Sequence, residues 1–333
     1  MKFLLVAALC ALVAIGSCKP TREEIKTFEQ FKKVFGKVYR NAEEEARREH
    51  HFKEQLKWVE EHNGIDGVEY AINEYSDMSE QEFSFHLSGG GLNFTYMKME
   101  AAKEPLINTY GSLPQNFDWR QKARLTRIRQ QGSCGSCWAF AAAGVAESLY
   151  SIQKQQSIEL SEQELVDCTY NRYDPSYQCN GCGSGYSTEA FKYMIRTGLV
   201  EERNYPYNMR TQWCDPDVEG QRYHVSGYQQ LRYHSSDEDV MYTIQQHGPV
   251  VIYMHGSNNY FRNLGNGVLR GVAYNDAYTD HAVILVGWGT VQGVDYWIIR
   301  NSWGTGWGNG GYGYVERGHN SLGINNYVTY ATL

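Results

Sequence analysis

A chain of 333 residues has room for more than one domain and a sizeable core. Its 38 acidic side chains outnumber 31 basic ones, for a formal charge of −7, which argues against a nucleic-acid partner because such a partner would want a basic face. The N-terminus opens on Lys2 and an apolar run to Ile15, short for a bilayer span, with small residues at Ala14 and Gly16 for cleavage. Residues 1–18 therefore read as a secretory signal peptide, and no later stretch could cross a membrane, so a secreted protein is expected. Cys10 and Cys18 belong to that leader; the other six of the eight cysteines suit an oxidising compartment.

Residues 19–111 form a charged, helix-prone block free of cysteine. Glu44, Arg48, Phe52 and Asn63 recur at helical spacing, and Asn73, Tyr75 and Asp77 follow. The Gly-rich run after Ser88 and the polar region to Gly111 read as a linker. Asn93-Phe94-Thr95 within it is an N-glycosylation sequon.

The most informative stretch is Gln130-Gln131-Gly132-Ser133-Cys134-Gly135-Ser136-Cys137-Trp138. An Ala-rich run over 139–150 reads as a buried helix, which Ser136 or a neighbour would cap, placing Cys137 at the N-terminus. Free N–H groups and the helix dipole there favour an anion, so the thiol is expected to be partly thiolate at neutral pH. The pair could instead be redox-active or half of a zinc site, with Cys179 and Cys182 as the other half.

Helical signals continue at 161–168, where Ser161 and Glu164 suggest a capping box, and at 187–197. From about residue 221 the pattern turns to Val-, Ile-, Tyr- and Trp-rich strands at 250–254, 282–287, 296–300 and 311–316, with a helix-like stretch at 237–247.

Cys134-Gly135-Ser136-Cys137-Trp138 resembles the nucleophile segment of the papain family of cysteine peptidases. Asp280-His281-Ala282-Val283 and Asn301-Ser302-Trp303-Gly304 resemble its His and Asn segments, and Gln131 stands where the family keeps an oxyanion Gln. His281 lies about 144 residues beyond Cys137, within the roughly 130–150 expected. Within the family the chain looks most like the group 1 mite allergens, which are digestive cysteine peptidases. Glu44, Arg48, Phe52 and Asn63 are similar to the family's propeptide helix motif, with Gln55 and Val59 as departures. Asn73, Tyr75 and Asp77 resemble its second propeptide motif, with Ala71 where Gly is usual.

The resemblance implies an α+β, papain-like two-domain fold: a helical half carrying Cys137, a β-barrel-like half carrying His281 and Asn301, and a helical N-terminal propeptide. It divides the chain into signal peptide 1–18, inhibitory propeptide 19–111 and peptidase 112–333, with the mature enzyme beginning somewhere in 103–113. The implied activity is a secreted endopeptidase acting on proteins and peptides, inhibited by its own propeptide and needing no cofactor or metal. Cys137 would be the nucleophile, His281 the proton shuttle, Asn301 its orienting group and Gln131 an oxyanion donor. Trp303 would shield the His/Asn pair. Gly185 would pair with the substrate backbone, and Tyr186, Ser187, Tyr253, Thr279 and Ala282 would form the pocket for the second residue before the cut. Cys168 would pair with Cys214, and Cys134 with Cys182 or Cys179, the first preferred. A catalytically silent relative acting as a binding protein is the alternative, and loss of Cys137, His281 or Gln131 would mark it.

Overall fold

The computed structural model describes residues 25–89, 92–102, 111, 113–274 and 278–333. The expected signal peptide with Cys10 and Cys18, and most of the expected processing region 103–113, lie outside them.

The N-terminal block has a small aromatic core of its own. Helix α1 (Phe28–Phe35) starts at a capping box built by Thr27 and Gln30 and packs Phe28 and Phe31 against Phe52 of α2 (Ala42–His62), with ring centroids 5.7 and 5.0 Å apart. The periodic residues of α2 each have a task. Arg48 donates to the Asp77 carbonyl at 3.1 Å and to Glu82 at 3.2 Å, and Asn63 caps the helix C-terminus while its Oδ1 accepts from Tyr70 N at 2.8 Å. Gln55 reaches the C-terminal half, where it accepts from Asn263 at 2.9 Å and donates to Asn259 at 3.3 Å. The short strand β1 (Glu69–Tyr70) leads to α3 (Glu80–Ser88) and α4 (Phe94–Glu100).

The expected linker after Ser88 is more ordered than its composition suggests. Asn93 Oδ1 accepts from Tyr96 N at 3.0 Å and caps α4, while Leu92 and Met97 enter the main core. A Gly-rich entry shows which bonds are soft, not which apolar side chains will find a partner.

After β2 (Phe117–Asp118), α5 (Cys137–Lys154) runs through the centre of the molecule. Its Ala-rich sequence admits close neighbours on every side, and all of residues 137–149 are buried. Ser136 does not cap it through its side chain; that hydroxyl pairs with Tyr207 instead. Helix α6 (Glu162–Cys168) is capped by Ser161, which accepts from Glu164 N at 3.0 Å. The expected capping box is only half present, because the Glu164 carboxylate accepts from Val200 N and Tyr193 Oη instead. Helix α7 (Ser187–Arg196) completes the helical half.

The second half is a mixed sheet in the order β3 (Gly227–Gln230), β10 (Tyr327–Thr332), β4 (Val250–Met254), β7 (His281–Val291), β8 (Val294–Arg300), β9 (Tyr312–Glu316), β6 (Val268–Leu269), with β2 beside β7. All its pairings are antiparallel except β6 with β9. Helices α8 (Asp237–His247) and α9 (Asn259–Arg262) flank it. The long strand β7 packs on α5, so the N-terminus of a helix from one half faces the start of a strand from the other. A separate two-stranded sheet, β1 with β5 (Leu264–Asn266), ties the N-terminal block to this half.

Candidate active site

Cys137 is the first residue of α5 and His281 the first of β7. Cys137 Sγ accepts from the Ala282 N–H at 3.4 Å, which places thiol and imidazole at one junction between the halves. His281 Nε2 lies 2.8 Å from Asn301 Oδ1, an oxygen that also accepts from Ser302 N at 2.8 Å. An acceptor on that side requires the proton on Nε2, so Nδ1 carries the lone pair. Nδ1 has no hydrogen-bond partner among the described residues. Trp303 lies over the ring, stacked at 4.6 Å between centroids.

Gln131 is held on both sides of its amide. Its Nε2 donates to the Cys134 carbonyl at 3.1 Å, its Oε1 accepts from Ser302 Oγ at 2.7 Å, and its backbone N donates to the Ser302 carbonyl at 2.9 Å. Ser302 thus joins the Gln131 amide to the Asn301 amide.

The expected pocket residues converge less uniformly. Tyr253 and Ala282 are register partners on β4 and β7. The Tyr253 hydroxyl is the acceptor for Ser187 N at 2.8 Å and donates to the Gly185 carbonyl at 3.3 Å, so it spans the two halves rather than merely filling space. A Cβ on Gly185 would fall 2.3 Å from the Trp138 ring, which restricts that position to glycine. Ser187 Oγ donates to the Trp138 carbonyl at 3.0 Å. Tyr186 is buried beside Tyr96 at 4.7 Å, and buried Thr279 pairs its hydroxyl with Tyr274 at 2.9 Å.

Cys134 is bonded to Cys182 and Cys168 to Cys214. Cys179 stays free and buried, its sulfur accepting from Tyr186 N at 3.4 Å. With two of the four thiols consumed in one bridge, the Cys134/Cys137/Cys179/Cys182 set cannot serve as a zinc site or a Cys134–Cys137 redox pair.

The N-terminal block covers this site. The Leu87 carbonyl lies 3.7 Å from Cys137 Sγ, and His86 Nε2 donates to the Gly132 carbonyl at 2.9 Å. A Cβ on Gly89 would fall 1.8 Å from the Gly183 carbonyl, so the chain passes at backbone contact. Asn93 N donates to Tyr186 Oη at 2.7 Å, and Gln230 Nε2 donates to the Met97 carbonyl at 2.8 Å. Asn93 itself is exposed. Phe83 and Tyr75 pack on Trp303, with centroids 5.2 and 5.7 Å away.

This cover changes the expected protonation. Burial pushes the Cys137 thiol up to about 12, against the weaker downward pull of the Ala282 N–H, and burial pushes His281 down to about 4. The covered pair is therefore neutral thiol and neutral imidazole, not the partial thiolate that a helix N-terminus alone predicts. Desolvation outweighs the dipole because the N-terminal block offers the sulfur a carbonyl oxygen and no cation.

Three residues escaped the sequence reading. Tyr207 Oη donates to the Gln131 carbonyl at 2.7 Å and sits 2.6 Å from Ser136 Oγ. Asp280 Oδ1 accepts from Gly256 and Ser257 N–H, and burial raises this carboxyl to about 6. The third is His86. Asp280 had a signal, adjacency to His281; Tyr207 and His86 had none, because only long-range contacts bring them to the site.

A model of the papain family cysteine proteases matches residues 113–332, and a model of the cathepsin propeptide inhibitor domain matches residues 28–83. A cysteine protease of Blomia tropicalis is 98% identical over 333 residues and the whole of both chains. Peptidase 1 of Dermatophagoides farinae is 35% identical, covering 98% of each chain. The solved digestive procathepsin L 3 of Tenebrio molitor larval midgut superposes with a TM-score of 0.79 at 30% identity, over 92% of this chain and 97% of its own.

Proposed function

The chain belongs to the papain family of cysteine proteases and is a cysteine endopeptidase made as an inactive proenzyme; we propose that Cys137 and His281 perform its chemistry. Once the cover leaves and water returns, the cost of charging the pair falls and the proton passes from Cys137 Sγ to His281 Nδ1. The thiolate attacks the substrate carbonyl carbon, forming the C–S bond as the carbonyl π pair moves onto oxygen. That oxyanion is received by Gln131 Nε2 and the Cys137 N–H. The C–N bond then breaks, His281 gives its Nδ1 proton to the leaving amine, and an acyl-enzyme remains. Water, deprotonated by His281, releases the acid and restores the thiol. Asn301 holds the imidazole so that Nδ1 is the nitrogen facing the sulfur.

The observation that carries this reading is the His281 Nε2 bond to an Asn301 oxygen that is itself held by Ser302 N. Residues 1–18 are proposed as leader, 19–111 as propeptide and 112–333 as peptidase, with the enzyme secreted and Asn93 glycosylated before the propeptide is removed. Gly185, Tyr186, Ser187, Tyr253, Thr279 and Ala282 are proposed as the substrate subsite, with Trp303 the shield of the His/Asn pair. Among the described residues no helix is long and apolar enough to cross a membrane. A silent binding protein is disfavoured because Cys137, His281 and Gln131, whose loss would mark one, are all present. The test is Cys137→Ala, which should fold and show no hydrolysis of a fluorogenic peptide after the propeptide is removed; activity near the parent level would end the assignment.

A further inference from the structure

Helix α2 carries a cluster that the proteolytic reading does not use: His50, His51 and Glu54 on its outer side. Positions i and i+4 share a helix face and i+3 lies next to them, so the Glu54 carboxylate is reachable from both imidazoles. His50 Nε2 is 3.4 Å from Glu54 Oε1, and His51 Nδ1 is 3.3 Å from Glu54 Oε2. One ligand atom from each residue lies within 4.8 Å of the other two. Zinc bonds nitrogen and oxygen at about 2.0–2.2 Å, which puts tetrahedral ligand atoms roughly 3.3 Å apart. Each His–Glu distance is near that value, but to a different Glu54 oxygen, so the carboxylate would bind through both oxygens or turn slightly to share one.

Two helix-surface ion pairs would account for those distances alone. They do not account for the second nitrogen of His51. Its Nε2 faces the Glu82 carboxylate of α3 at 3.6 Å, and the side chain is only 18% exposed. A shift of a few tenths of an ångström would bring this pair to hydrogen-bond distance, as when a metal-bound imidazole turns its other N–H to a carboxylate that orients the ring. Glu82 is itself anchored by Arg48 at 3.2 Å and by Ser79 N at 3.0 Å. Imidazole and carboxylate together suit zinc and its transition-metal neighbours, whereas calcium and magnesium want oxygen alone.

We propose that His50, His51 and Glu54 form a zinc site on the propeptide whose occupancy strengthens the hold of α3 on the cleft. The coupling would run through Glu82, which faces His51 from the start of α3, the helix that ends with the Leu87 carbonyl against Cys137. A metal that prefers the docked arrangement of α2 and α3 stabilises it by mass action. The regulatory half rests on residues 19–111 being the inhibitor; the metal site does not.

The test uses the full-length proenzyme carrying Cys137→Ala, which removes the competing thiol and self-cleavage. Zinc chloride is titrated calorimetrically at about pH 7.5, where ordinary imidazoles are neutral. One equivalent should bind with micromolar affinity; His50→Ala and Glu54→Gln should each weaken it about tenfold or more, and Glu82→Gln by a similar factor. Zinc should raise the Tm of the parent and leave that of Glu54→Gln unmoved, and calcium should do neither. No binding by the parent, or equal binding by the variants, overturns the site. Binding lost in the variants with no Tm change in the parent overturns the coupling to the cleft.

Discussion

The main-chain oxygen of Leu87 sits 3.7 Å from the sulfur of Cys137. The inhibiting segment thus sets a carbonyl beside the proposed nucleophile, but its approach is fixed by helix α3 and not by an extended substrate-like register. Phe83, fully buried, and the Arg262 guanidinium 4.6 Å above its ring hold that helix down. Arg262 also donates to the Tyr75 and Met78 carbonyls.

Phe83→Ala should therefore loosen the cover. Truncating a buried Phe costs about 3–5 kcal/mol, most of it here in contacts with Trp303, Tyr75 and Arg262. Proenzyme carrying it should hydrolyse a fluorogenic peptide at neutral pH, where the parent is nearly silent. Parent-like silence would show that α3 does not hold the block.

Acid should release the cover through histidine. Burial pushes His86 down to about 4, against the upward pull of the Gly132 carbonyl; Lys37 and Arg262 lower it further and Asp77 raises it. A base depressed on folding adds stability above its unfolded value near 6.5, and that contribution is lost as pH falls towards 4. The shift corresponds to at most about 3 kcal/mol, shared between docking and packing within the block against Tyr75 and Phe83. Buried His255, near Glu80 at 3.8 Å, is also lowered by burial to about 4 and acts in the same direction. Asp280, raised by burial, has the opposite sign: its contribution is full at low pH and is lost as pH rises through about 6. Glu82, held low by the Ser79 N–H and by Arg48 although burial raises it, adds loss only in the carboxylate range. Conversion of proenzyme should begin below about pH 6, and His86→Gln should move its midpoint to lower pH. An unmoved midpoint would transfer the trigger to the carboxylates.

Tyr207→Phe removes one hydroxyl that steadies both the Gln131 carbonyl and Ser136. The loss of about 1–1.5 kcal/mol should fall on the oxyanion side, lowering kcat about tenfold with KM nearly constant. Steady-state kinetics of mature enzyme would read this; a change confined to KM would place Tyr207 in substrate binding.

Cys179 should be dispensable and slow to react. Burial pushes its thiol up to about 12, and the Cys134–Cys182 bridge leaves it no partner. Mature Cys179→Ser should keep its activity, and iodoacetamide should label Cys137 alone in the native mature parent. Removing Cys168–Cys214 should instead cost about 2–4 kcal/mol in denaturant unfolding.

Tyr253→Val should broaden the subsite. The hydroxyl now bridges Ser187 N and the Gly185 carbonyl, so the parent should prefer a small or medium apolar residue at the second position before the cut. The variant should accept a larger one in a fluorogenic library; a dominant acidic preference in the parent would refute this subsite.

The sequence by itself determined the family and the fold class, and it singled out Gln131, Cys137, His281 and Asn301 as the residues proposed for the chemistry. Each sits in a short local pattern whose order along the chain is informative. It also marked the propeptide helix, because Glu44, Arg48 and Phe52 repeat on one face. Tertiary structure alone decided the rest. Cys182 rather than Cys179 meets Cys134 because a bridge needs Cα atoms close in space, here 4.7 Å apart. Helix α4 is ordered because Leu92 and Met97 find a core contributed by distant residues. Cys137 and His281 are neutral in the proenzyme because desolvation by a segment 50 residues upstream outweighs the helix dipole. Burial and long-range contact leave no trace in local spacing, and they set the state of the site.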